Sequence, residues 1–309
     1  MINIKTERFE PEHHEFEFLF LPSYGINHNE ITEYSRWVSK NFSSFCKAGF
    51  TSELNSEWIL RTYSATKMVM ASTLLLNSAK HSIDNNNMVT VPYLLYYSLF
   101  NACRSLIYVS PMQTSKNLDD LITTTHSKVI NVSSSIVSNL NKPLSKKLKE
   151  LLLDLQYERE LFSYKFPADG LRREINLDNV ILLCGIVVEI AELTSRRIQH
   201  YIEKKFLSSE ESRVIASNTW QVLDYNIISK LYQHEKKTVN NEKLFWIDDE
   251  DWYSVNYIRQ KVKYPCSILF TMTEGMTEDF FGAWYDYDNE DDYNRFNPDH
   301  NKNIIFPIP

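Results

Sequence analysis

Two arginines and a histidine are the side chains of this chain best suited to handle an anion. Arg104 sits in the segment YYSLFNACRSLIY, where Tyr97, Asn101 and Tyr108 fall at helical spacing on the same face. Arg159 lies on the stripe Leu148, Leu152, Leu155, Arg159 and Phe162 of a second strongly periodic segment. A guanidinium that faces a helix interior must be paired or must line a polar cleft, because an unpaired buried charge costs several kcal/mol. Two readings therefore stand. In one, each arginine pairs with a carboxylate or carbonyl and only fixes the packing. In the other, Arg104, His126 and Arg159, with Tyr97, Asn101 and Tyr164, line one cleft for a phosphate or nucleotide.

Other constellations offer less. His13 and His14 are adjacent and cannot share one helix face as joint ligands. The acidic runs Asp248 to Asp251 and Asp286 to Asp292 suggest a hard-cation loop, and the second begins D-Y-D-N-E. It has Asp291 where a calcium loop needs Gly and Asn297 where it needs Glu, so a solvated acidic segment is the reading. Phosphate-loop, dinucleotide, hydrolase-elbow and zinc-protease motifs are absent from the sequence. The four cysteines, Cys46, Cys103, Cys184 and Cys266, are widely spaced, which fits a reducing compartment and neither a metal knuckle nor a disulfide framework. No metal and no cofactor is expected.

Composition bounds the rest. Gly is scarce, 6 residues in 309, which favours long helices over a turn-rich sheet. The formal charge of −7 argues against a globally basic nucleic-acid surface while leaving room for a local basic patch. The N-terminus lacks a signal-peptide core, and the most apolar run, Val180 to Ala191, is too short for a bilayer and carries Glu189. A soluble, cytoplasmic protein without a membrane span is expected.

The elements that must position the arginines read as helices. Periodicity predicts helices over 28–47, 55–78 (with Ser56 as its cap), 92–108, 144–162 and 177–204, the last apolar nearly all round. Residues 118–140 are Ser/Thr-rich and predict one irregular or broken helix. Short strands are expected at Phe16 to Phe20 and at Tyr264 to Thr273, and a further helix over 210–231. The boundaries that follow are an N-terminal extension over 1–56, a helical bundle over 57–205 and an aromatic, acidic extension over 206–309. Trp246, Trp252, Tyr253, Trp284, Tyr285, Tyr287 and Tyr293 lie among acids, which suits packing on the bundle or on a protein partner better than stacking on bases.

The central half resembles the HEPN family of four-helix bundles. The carriers are Tyr96, Tyr97, Phe100, Ala102, Arg104 and Leu106, then Thr125, His126, Ser127 and Val129, then Arg159 to Tyr164, with Ser163 where the family often has Asp. The whole build is similar to the YaaC-like bacterial proteins. The resemblance implies a mainly α fold: a HEPN-like antiparallel four-helix bundle with N-terminal and small α+β C-terminal extensions. It also implies a homodimer or a protein partner, and an effector or interaction module of a bacterial stress, toxin–antitoxin or antiviral defence system that binds a partner, nucleotide or RNA. Active members carry Arg and His with four to six residues between them. Here no His follows Arg159 at that spacing, and Arg196 and Arg197 stand four and three residues before His200, so neither pair near His200 has it. A divergent endoribonuclease toxin using Arg159 and His126 as catalytic residues, and a non-enzymatic scaffold, remain the alternatives.

Overall fold

The computed structural model describes residues 17–112, 124–168, 170, 176–209, 238–239, 242–243, 248–285 and 295–309. Its long helices, Val91–Val109 excepted, each start after a residue whose side chain satisfies an orphan N–H of the first turn. Asn27 and Glu30 form a reciprocal capping box on α1's successor, α2 (His28–Phe45), which follows the short α1 (Phe20–Ser23). Thr51 caps α3 (Ser52–Asp84), Thr125 caps α5 (His126–Ser138), Asn141 caps α6 (Lys142–Tyr164) and Asn176 caps α7 (Leu177–Phe206). Pro92 enters the first turn of α4 (Val91–Val109), where its missing N–H has no cost. Asp248 and Asp251 box the start of α8 (Asp249–Val262), and Ser267 and Thr273 cap α9 (Ile268–Thr271) and α10 (Glu274–Gly282).

Among the described residues the protein is mainly helical, with a single two-residue antiparallel pairing of Thr238–Val239 with Glu242–Lys243. α4 is the hub. It packs most extensively on α3, then on α7, and its remaining side receives the α5–α6 hairpin. Ser145 Oγ donates to the Ser134 carbonyl at 2.7 Å and closes that hairpin. α1 and α2 lie on α7, while α8, α9 and α10 lie on α3, and one hydrophobic core runs from Phe18 to Ile308.

α7 does more than fill the centre. Its surface carries a strip of buried and half-buried polar side chains, each holding a backbone N–H from the segment before α2 or from the start of α9. Glu189 accepts from the backbone of Leu19 at 2.6 Å, Phe20 at 2.9 Å and Leu21 at 2.7 Å. One turn away Gly185 leaves the space in which the Phe20 ring sits: a Cβ there would lie 2.6 Å from that ring. Glu192 accepts from Leu269 N at 3.0 Å and Arg196 Nε at 2.5 Å, Ser195 Oγ from Ile268 N at 3.1 Å, and Gln199 Oε1 from Ser267 N at 2.8 Å. Two further buried charges have partners. Asp251 accepts from Tyr63 Oη at 2.6 Å and from Lys67, and Arg61 pairs with Glu57 at 2.6 Å over the Trp58 ring.

Several expectations change. Glu17 to Leu19 are not a strand and Phe20 begins a helix, because Glu189 gathers its first amides as a cap would. Tyr264 to Thr273 likewise holds α9 where a strand was expected: side chains of α7 and Ser267 take the N–H groups of residues 267–270, and those of Thr271 and Met272 close the helical turn. Ser56 is not a cap but lies inside α3, bonded to the Ser52 carbonyl at 2.7 Å; Thr51 does the capping, and the 56/57 boundary falls inside this helix. The run over 118–140 contains one regular helix from His126, with residues 113–123 outside the described set. Asp248 to Asp251 is a helix start with a buried carboxylate, not a solvated loop. The proposed helix over 210–231 and the acids 286–292 lie outside the described residues.

Candidate functional site

The site forms where α4, the first residue of α5 and the last third of α6 meet. On α4, Tyr96 and Phe100 are one turn apart and stack at 5.7 Å between centroids. His126 opens α5 and lies against both rings, 4.7 Å from Phe100 and 5.6 Å from Tyr96. Its Nδ1 is 2.6 Å from the Tyr96 hydroxyl, and its Nε2 makes no hydrogen bond among the described residues. Tyr97 meets the imidazole edge-on at 6.1 Å. Thus the start of α5, capped by Thr125, sets one histidine onto an aromatic ladder.

Arg159 approaches the same ladder from α6. Its guanidinium carbon is 5.1 Å from the Tyr96 ring and 5.9 Å from the Tyr97 ring, within cation–π reach. The side chain is 12% exposed and its one ion pair among the described residues is a 3.4 Å contact with the neighbouring Glu160, which also accepts from Gln156 at 2.8 Å. Its Nε is buried with no hydrogen-bond partner. The preceding Glu158 is 1% exposed and neither carboxylate oxygen is bonded. Arg104 is half-buried on α4, donates to Tyr108 Oη at 2.6 Å and lies over that ring at 5.5 Å.

The electrostatics follow from these positions. Burial, the Arg159 cation and, more weakly, Arg104 hold His126 below the usual histidine range, against an upward pull from Glu160. Burial pushes the Tyr96 hydroxyl well above the usual phenol range despite Arg159, so it stays protonated. The site therefore offers two permanent cations and a neutral imidazole on apolar walls, in a chain whose formal charge is −7.

Of the residues singled out from sequence, His126, Arg159 and Tyr97 are in mutual contact through the aromatic ladder, and Arg104 is close enough to act on His126. Asn101 is half-buried between Tyr97 and Arg104 on the α4 face, with no hydrogen bond among the described residues. Tyr164 does not belong: it is 80% exposed at the last residue of α6, and five residues beyond Arg159 turn it to another face. Tyr96, Phe100, Glu158 and Glu160 are the members that the sequence reading missed as site residues. Tyr96 and Phe100 were legible as one-turn neighbours of each other, whereas the burial of Glu158 had no local signal. Among the described residues there is no cluster of His, Cys, Asp and Glu able to hold a metal, and no helix long and apolar enough to cross a membrane. Compared with family models, curated proteins and solved structures, the chain matches none.

Proposed function

We propose that this chain is a HEPN-like helical module that recognises a phosphate-bearing ligand, a nucleotide or an RNA strand, at the α4–α5–α6 junction. The observation that carries the reading is Arg159: a mostly buried guanidinium with an unbonded Nε, laid on Tyr96 and Tyr97 beside His126. A structural arginine in such a place ordinarily ends on a carboxylate with good geometry, as Arg61 does on Glu57. Among the described residues Arg159 has only the long 3.4 Å contact with Glu160 and two aromatic faces, which leaves part of its desolvation for an arriving anion to offset. The aromatic walls suit the base or sugar of a nucleotide, and Arg104 adds charge from the opposite helix. The family part of the reading rests on the motif order along α4, α5 and α6, and it suggests a role as an effector in bacterial stress, toxin–antitoxin or antiviral defence.

Calorimetric titration with adenosine 5′-monophosphate and with a short single-stranded RNA tests this. Binding that weakens at least about tenfold in Arg159→Ala, and that falls with added salt, is the expected result. A wild-type protein that takes up neither probe at low salt ends the proposal. A cleaving enzyme is the second reading, favoured by one observation: His126 is kept neutral beside a cation, as a general base acting on a ribose hydroxyl needs to be. The same RNA, recovered intact after incubation with the wild type, would dispose of it.

A further inference from the structure

The hydrogen bond between Tyr96 and His126 can be read one step further by accounting for its protons. Three arrangements are open to a tyrosine hydroxyl 2.6 Å from an imidazole Nδ1. The phenol can donate to a neutral Nδ1. It can accept from Nδ1–H of a neutral ring. Or it can accept from an imidazolium. The last two require the phenolic proton to find another acceptor. Tyr96 is 0% exposed, and among the described residues its hydroxyl has no partner besides His126. Either acceptor arrangement thus strands a buried O–H, at a cost of about 1–3 kcal/mol. The first arrangement strands nothing, since His126 is only half-buried and its Nε2 can meet solvent or a ligand.

We propose that Tyr96 is the positioning residue of this site: its hydroxyl donates to His126 Nδ1 and holds the imidazole as the Nε2–H tautomer, which offers a phosphate oxygen a neutral hydrogen-bond donor beside Arg159. The assignment deepens the anion-recognition reading and rests on it. Stacking against Phe100 and Tyr96 keeps the ring plane in place, and turning the ring over would set a C–H against the hydroxyl and lose the bond. The charge environment agrees: burial, Arg159 and Arg104 all oppose the imidazolium, with Glu160 alone favouring it. Arg104 on α4 and Arg159 and Glu160 on α6 are the charged groups that bear on the ring.

The tautomer has a chemical consequence. An Nε2 that already carries a proton cannot take one from a ribose hydroxyl, and its partner Nδ1 is occupied by Tyr96. The resting site is thereby built for holding a phosphate and not for activating a nucleophile. Its specificity is for groups that accept a hydrogen bond, with a neutral donor added to the two cations.

Nitrogen-15 NMR of histidine-labelled protein, with His126 assigned by its loss in His126→Gln, reads the proton directly. In the wild type Nε2 should carry the proton and Nδ1 should not. Tyr96→Phe keeps the packed ring, so the fold should persist, with the His126 signals moving to a mixture of tautomers. The same variant should bind adenosine 5′-monophosphate about threefold to tenfold more weakly, the range one ordinary hydrogen bond spans. A wild-type His126 protonated on Nδ1, or a tautomer unchanged in Tyr96→Phe, overturns the assignment even if the nucleotide binds. The stated tautomer in a protein that ignores the nucleotide overturns the anion reading on which it was built.

Discussion

The polar strip on α7 and the cluster at α4–α5–α6 both remove charged side chains from water, and the fold completes only the first. Glu189 receives three backbone amides, and Glu192 an amide and a guanidinium. At the other place Glu158 has no bonded oxygen and Arg159 has an unbonded Nε. The difference separates two uses of buried charge. Where each lone pair meets a donor of the same chain, the charge holds the fold together. Where donors are left over, the fold tolerates a cost that a bound partner would recover.

That contrast can be broken most forcefully at Glu189. Glu189→Ala strands three amides in the core and should lower the unfolding free energy by about 3 kcal/mol or more, read by urea denaturation. A loss below about 1 kcal/mol would mean that the strip is decoration. The opposite sign is expected from Glu158→Met, which removes an unbonded buried carboxylate while keeping volume; it should stabilise by about 1 kcal/mol in the same assay, with Arg159→Ala close to neutral. If Glu158→Met destabilises as strongly as Glu189→Ala, the two regions are not different in kind. The smallest effect concerns protons. The folded His126 titrates below the usual value of about 6.5, so folding favours its neutral form. Its contribution to stability is present above that value and is lost as pH falls through the folded one. An NMR titration should show His126 moving upward in Arg159→Ala; no movement would separate the two side chains electrically.

The helices were legible because their caps and periodicity are local. Asn27, Asn141 and Asn176 precede apolar repeats, and Pro92 and Pro143 stand where a first turn tolerates them. The two expected strands failed for a reason local sequence does not contain. Phe20 and Ile268 belong to short helices because α7, some seventy or more residues away, supplies acceptors for their amides. At the site, Arg104, His126, Arg159, Tyr97 and Asn101 were readable as chemistry on helix faces, but Tyr164 was placed by motif and not by angle. Tyr96 entered only as one of the residues that carry the resemblance. Only the packing of α5 on α4 gives its hydroxyl an imidazole to meet.

One consequence follows from the strip on α7. Glu189 grips the segment before α2 and Glu192, a single turn along, grips the segment after α8, so segments on either side of the bundle in sequence are tied to adjacent points of one helix. Cutting the protein back to residues 57–205 would free neither terminus harmlessly: it would uncover two carboxylates shaped for partners that had been discarded. The arrangement works like a keystone with hooks on both flanks. The terminal segments are therefore fastenings of the bundle, and the smallest autonomous unit of this protein is larger than its bundle.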